Sequence, residues 1–195
     1  MSEKQPSDVL NEIIQGRRSV FPPAFSGKRI EDEFICQILE NANWAPTHKM
    51  TEPWRFHVIT DDSRTQLSEL AGDWYQKNIT GHAYSSKKHE KTMRNPMLSS
   101  HIIAICVQRD GQDRVPQWEE EAAVACAVQN LWLSASSLGM GGYWSTPKYL
   151  EVLKEFLELS EGEYCVGLFY LGIPQEGYVA KSSRNPIADK VKWYR

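Results

Sequence analysis

The chain has 195 residues, 41% of them hydrophobic and 24% charged, with a formal net charge of -3. That length suits one domain, 1–195, with a sizeable core; two independent domains would be small. The charge balance argues neither for nucleic acid nor for a membrane surface as an obligate partner, and no apolar run could span a bilayer. The polar, acidic start lacks a signal-peptide core. Cys36, Cys106, Cys126 and Cys165 are widely spaced with no C-x-x-C. Buried free thiols in a reducing cytoplasm are expected, not a disulfide or metal framework. Seven tryptophans and eight tyrosines hint at a stacking site or an aromatic interface.

In chain order, Ser7 can cap a first helix whose Val9, Leu10, Ile13 and Ile14 form one face and whose end is Gly16. Arg17-Arg18-Ser19 follows. Two arginines there suit the carboxyl end of a helix, and their donors with a serine hydroxyl also suit a phosphate. Phe21-Pro22-Pro23 breaks the chain. From Ile30 to Ala45, Phe34, Ile35, Ile38, Leu39 and Ala42 read as a helix stopped by Pro46. A polar turn, Thr47 to Trp54, leads into a strand over Arg55–Thr60. Taken singly, Trp44 reads as core and His48 as a surface histidine.

A third helix starts at Asp62 or Ser63, with Leu67, Leu70, Ala71 and Trp74 on one side. Gln76 to Arg94 is polar and basic and reads as a solvated helix or an excursion. His101 to Val107 is the clearest buried strand, and a polar loop follows it. Trp118 to Leu138 is apolar nearly all round, so it is expected inside the protein. Glu119, Glu120 and Glu121 at its start suit the positive end of its dipole. Gly139-Met140-Gly141-Gly142 ends it, and Gly141→Val is expected to distort the turn if that glycine takes positive φ. Tyr143-Trp144-Ser145-Thr146 offers a ring surface and hydroxyls. Thr146-Pro147 is expected to start a helix carrying Tyr149, Leu150, Leu153, Phe156 and Leu157. Tyr164 to Gly172 is a second buried strand, and a basic loop, Lys181 to Pro186, precedes an apolar end. Strands centred near Val58, Ile105, Tyr143 and Phe169 should share one sheet flanked by helices, an α+β architecture around a long central helix.

The usual dinucleotide and P-loop fingerprints are missing, as are H-E-x-x-H, any Cys/His cluster and a G-x-S-x-G elbow. No metal is expected. These residues leave a binding protein, or an enzyme whose chemistry lies in a cofactor.

Several stretches together resemble the nitroreductase family of dimeric FMN-dependent oxidoreductases, most of all its compact YdjA-like bacterial NAD(P)H nitroreductases. They are Arg17-Arg18-Ser19, Ala45-Pro46-Thr47-His48-Lys49 with Glu52-Pro53-Trp54, Val115 through Thr146, and Leu168 to Pro174. The likeness runs in order over nearly the whole chain. It implies a mixed sheet flanked by helices and an intertwined homodimer with FMN at the subunit interface. Carried over by position, Arg17, Arg18 and Ser19 would hold the phosphate and ribityl chain. Trp144, Ser145 and Thr146 would line the flavin from the same subunit, and Trp44 and His48 from the other. Compact relatives carry arginine where this chain has Trp44, which would touch flavin by stacking or van der Waals contact instead. Arg184 matches a basic segment that completes the phosphate site in larger members. The region Ser134 to Gly139, assigned to NAD(P)H in relatives, reads here as core. No protein residue is implied as catalytic.

The implied reaction is ping-pong. NADH or NADPH gives a hydride to flavin N5, and a nitroaromatic, quinone or similar planar acceptor then takes the reducing equivalents. Dehalogenation, enoate reduction and azoline oxidation on the same scaffold stay open. So does flavin storage or sensing without turnover and, family aside, a helical interaction module. The expected location is cytoplasmic.

Overall fold

The computed structural model describes residues 4–195. Its regular elements are α1 (Pro6–Gly16), α2 (Asp32–Asn43), β1 (Trp54–Ile59), α3 (Asp61–Asn78), α4 (Ser86–Leu98), β2 (His101–Gln108), α5 (Gln117–Ser137), β3 (Gly141–Ser145), α6 (Leu153–Phe156) and β4 (Glu163–Gly172). The four strands form one sheet in the order β1-β2-β4-β3, each neighbouring pair antiparallel. A parallel element enters through an isolated bridge from Ser19 to Gly142. The α+β architecture and the central helix are as the sequence implies.

Successive side chains of a strand point to opposite faces, and the sheet here is covered on both. Ile103, Ile105 and Val107 of β2 join Phe169 and Leu171 of β4 beneath α5 and α2. Ile102, Ala104 and Cys106 join Leu168 and Tyr170 beneath Leu67 and Ala71 of α3 and Leu153 of α6. Double coverage explains why β2 reads as an unbroken apolar run. Each fully buried Leu or Ile contributes about 1.5–3 kcal/mol relative to exposure, so these two clusters hold the fold.

Local features differ from the sequence reading for identifiable reasons. Helix α1 begins at Pro6, with Gln5 before it and no side-chain cap from Ser7; proline's fixed φ suits the first turn. None of its residues is buried, so Val9, Leu10 and Ile14 present an apolar face outward. The chain after Thr146 forms a short 3-10 turn, Leu150–Val152, and one turn of α6 instead of a capped helix. Tyr149 is drawn onto the sheet, buried, with its hydroxyl 3.3 Å from that of Tyr170. The basic stretch after α3 is largely helix: Ser85 caps α4 by accepting from the Lys88 amide, and Ser68 Oγ donates to the Met93 carbonyl at 2.7 Å. Cys36 and Cys126 are exposed, Cys106 is buried and Cys165 lies between, all free.

The glycines at the end of α5 divide their work. Gly139 takes φ of +74° and stops the helix in the left-handed region. Gly141 does not, and it already belongs to β3. A Cβ there would lie 2.7 Å from Val20 Cβ, so Gly141 is required by close packing and not by backbone conformation.

Candidate functional site

The end of α1 sets the site. Arg17 follows its last turn, with its amide donating to the Ile13 carbonyl and its own backbone already extended. That extension lays Ser19 against Gly142, and the Val20 amide donates to the Gly142 carbonyl at 3.0 Å. The Arg-Arg-Ser segment is thereby fixed to the start of β3, an edge strand of the sheet.

Each arginine then has its own task. Arg18 donates to the carbonyl of Arg17 at 2.9 Å and to that of Gln15, the ordinary role of a cation at a helix end. The Arg17 guanidinium lies 4.3 Å from the ring centroid of Trp132 on α5. Its Nη1 is buried without a hydrogen-bond partner. Burial first, then the charges of Arg184 and Arg18, lowers its pKa. Arg184 comes from the C-terminal segment, where it donates to Ser182 Oγ and to the Ser183 carbonyl. Ile14, Gln15 and these three arginines with Ser182 and Ser183 line a cavity of about 420 Å³. Three guanidiniums and two hydroxyls surround that space, and no carboxylate does. An orphaned N–H among like charges is the chemistry that a phosphate would satisfy.

The planar surface is on β3, the strand that Ser19 bridges. Trp144 packs over Gly167 of β4, where a Cβ would overlap the indole nitrogen and lie 2.8 Å from the Ser145 carbonyl oxygen. The indole N–H is buried and has no partner. Ser145 pairs with Leu168 and is half-buried, whereas Thr146 is exposed. Among the described residues, no strand pairs with the outer edge of β3 beyond the Ser19 bridge. Its amides and carbonyls there can meet a polar heterocycle. Gly167→Ala is expected to expel the indole and destabilise the protein by about 1–3 kcal/mol, the usual cost of overpacking. Near-UV circular dichroism and urea unfolding would read this, and an unchanged Trp144 signal with native stability would contradict it.

Trp44 and His48 lie elsewhere. Trp44 ends α2 and is 78% exposed, so it is not core; its indole donates to Glu40 at 3.1 Å. The buried tryptophan of this region is Trp54, which donates to Asn43. His48 is exposed, its Nδ1 2.5 Å from Glu119 at the start of α5. Lys49, Met50 and Glu52 hold φ of 55°, 52° and 42°, left-handed backbone that costs about 1 kcal/mol or more at a non-glycine residue. Arg17 meets α5 at Trp132 and His48 meets it at Glu119, roughly 20 Å apart at the rise of an α-helix. The chain therefore brings Arg17, Arg18 and Arg184 together, ties Ser19 to the β3 that carries Trp144 and Ser145, and places Trp44 and His48 apart.

Two contributors went unnoticed in the sequence. Trp132 falls within the stretch that is apolar nearly all round, although an arginine following a helix needs something to lie on. Gly167, alone inside an apolar strand, carried the usual signal of a close approach.

The family described as "Nitroreductase family" matches residues 14–173. Two bacterial relatives bear the name "Putative NAD(P)H nitroreductase": YdjA of Escherichia coli (strain K12) and YfhC of Bacillus subtilis (strain 168). The first is 29% identical over 169 residues, covering 84% of this chain and 87% of YdjA. The second is 30% identical over 194 residues, covering 93% and 92%. Among solved structures, the FMN-dependent nitroreductase NfnB of Mycobacterium smegmatis, in complex with NADPH, superposes with a TM-score of 0.80. That pair is 14% identical and covers 98% of this chain and 100% of NfnB, a likeness of fold. By the extent of the family match and of these relatives, the chain belongs to the nitroreductase family.

Proposed function

We propose that this protein is an FMN-dependent NAD(P)H oxidoreductase acting on nitroaromatics, quinones or similar planar acceptors. The observation that carries the reading is the cavity lined by Arg17, Arg18 and Arg184, with Arg17 Nη1 left without a hydrogen-bond partner. Family membership, the names of the relatives and the FMN-dependent NfnB with its NADPH add to it. In this reading Arg17, Arg18 and Arg184 neutralise the FMN phosphate, and Ser19 bonds the ribityl chain. Trp144, Ser145 and Thr146 line the ring. Bound there, flavin supplies reversible hydride uptake and release. The residues hold it, orient it and keep water from one of its faces; no side chain of the site is poised as an acid or base. NADH or NADPH is the donor, and a second planar molecule takes its place in a ping-pong cycle.

The second half of the site comes from a partner subunit in the same reading. A homodimer would cover the outward apolar face of α1 and bring the partner's Trp44 and His48 to the flavin. The exposed Val9, Leu10, Ile14, Trp44 and Trp118 support such an assembly. Among the described residues, no helix is long and apolar enough to cross a membrane.

Steady-state assays of the FMN-loaded protein with NADPH or NADH against a quinone and a nitroaromatic test the reaction. Parallel lines in double-reciprocal plots are expected. Donor oxidation that neither acceptor accelerates would leave a flavin protein without this activity. Sedimentation should give twice the chain mass, and a monomer that retains full activity would exclude the shared site.

A further inference from the structure

A second group of chemistry-bearing side chains lies on the other face of the sheet, away from α5. His57 of β1, Cys106 of β2 and Glu163 of β4 each direct one donor atom toward a common point, and the three atoms all lie within 4.8 Å of one another. The pleat accounts for this. Arg55 opposes Cys106 and His57 opposes Ala104, so His57 and Cys106 share a face as diagonal neighbours. The β2–β4 register shifts after Ile105, which leaves Val166 unpaired and sets Cys165 opposite Cys106. The Cys165 thiol donates instead to the Gly167 carbonyl at 3.4 Å.

The surroundings are otherwise apolar: Ile59, Ile102, Ala104, Leu159 and Leu168. Cys106 is fully buried, and the Glu163 side chain is only 6% exposed. A carboxylate in such a place needs strong partners. It has His57 Nε2 at 2.6 Å and the Ser160 amide at 3.3 Å. His57, with its side chain 30% exposed, leaves a way in from solvent.

We propose that His57, Cys106 and Glu163 bind a divalent zinc-class cation that ties β1, β2 and β4 together. A thiolate and an imidazole select zinc over magnesium or calcium, and with the carboxylate they make three protein ligands, the fourth tetrahedral position falling to water. Zinc–nitrogen and zinc–oxygen bonds of about 2.0–2.2 Å place His57 Nε2 and the carboxylate oxygen roughly 3.3 Å apart in that geometry. They need only separate by less than about 1 Å from their present contact, within the reach of side-chain rotation. Binding releases the Cys106 thiol proton to solvent, and the thiolate, the carboxylate and the Nε2 lone pair of a neutral His57 with its N–H on Nδ1 form the metal bonds. No electron is transferred. Sequence spacing conceals the site, because its donors come from three strands.

The test uses the full chain, stripped with a chelator, dialysed against zinc and assayed for metal, with cobalt(II) as a spectroscopic substitute. One zinc per chain is expected, with a thiolate-to-cobalt charge-transfer band and a Tm that rises with zinc concentration. Cys106→Ala and Glu163→Gln should each weaken zinc binding by about tenfold or more while far-UV circular dichroism stays native. Cys36→Ala and Cys126→Ala, which remove exposed thiols, should leave binding unchanged. Substoichiometric zinc in the folded wild type, or retention undiminished by Cys106→Ala and Glu163→Gln, would overturn the proposal and leave a buried acid–imidazole pair. Zinc lost with Cys36 or Cys126 would mark adventitious binding and overturn it equally. Should a core substitution prevent folding, the wild-type cobalt spectrum decides: without a thiolate band the site does not exist.

Discussion

Arg17→Ala is expected to raise the dissociation constant for FMN by about 100-fold, that is about 2.7 kcal/mol, within the cost of removing one partner of a desolvated charge pair. Of the three arginines lining the cavity, it is the one with a buried N–H that lacks a partner, so it has most to give to a phosphate. Without ligand the same substitution should change stability little. It removes a cation–π contact with Trp132, worth about 0.5–2 kcal/mol, and also relieves repulsion from Arg18 and Arg184. Arg17→Lys should fall between, because a lysine keeps the charge but not the planar fork or the stacking. Titration of the apoprotein by flavin fluorescence reads all three. An unchanged affinity for Arg17→Ala would remove this residue from the phosphate site.

The largest effect on stability should come from Glu120→Ala. Glu120 is 1% exposed at the start of α5. One of its oxygens pairs with Arg109 and the other accepts from the Asp110 amide at 2.9 Å. Deleting it strands the Asp110 amide and leaves the half-buried Arg109 guanidinium with only the exposed carboxylate of Asp113 as its ion partner, and breaking such a buried pair costs about 3–5 kcal/mol. A typical domain is stable by about 5–15 kcal/mol, so the variant should unfold at a midpoint lower by about 10 °C. Glu119→Ala, one residue away, removes only the contact with exposed His48 and should move the midpoint by no more than a degree or two. Thermal unfolding at equal flavin content checks the pair. Equal effects would show that burial of Glu120 contributes nothing.

Much of the fold was legible because it rests on period and punctuation. The apolar faces of α2 and α5, the unbroken run of β2 and the left-handed stop at Gly139 follow from local residue chemistry. The Arg17-Arg18-Ser19 cluster of donors was legible for the same reason, since its residue types and its place after a helix are both local. Contacts made across the chain were not legible. Three adjacent carboxylates look alike in sequence, yet only Glu120 turns inward, because Arg109 waits in the loop before α5. Trp44 reads as core and Trp54 as the end of a polar turn, yet Trp54 is the buried one, its indole donating to Asn43. Gly141 could be recognised as necessary, but the reason, Val20 closing on it from the segment after Arg17, requires the Ser19 bridge. The His57, Cys106 and Glu163 cluster depends on a strand order that no spacing encodes.

In the proposed reading FMN is held by the arginine cavity and reduced there by a nicotinamide donor. The most direct test is an absorbance spectrum of the protein saturated with FMN and desalted, recorded before and after anaerobic NADPH or NADH. The prediction is flavin bands that survive desalting and bleach with at least one donor. Desalted protein with no flavin bands would contradict the cavity as an FMN site. Bands that both donors leave untouched would contradict the oxidoreductase reading while keeping the flavin.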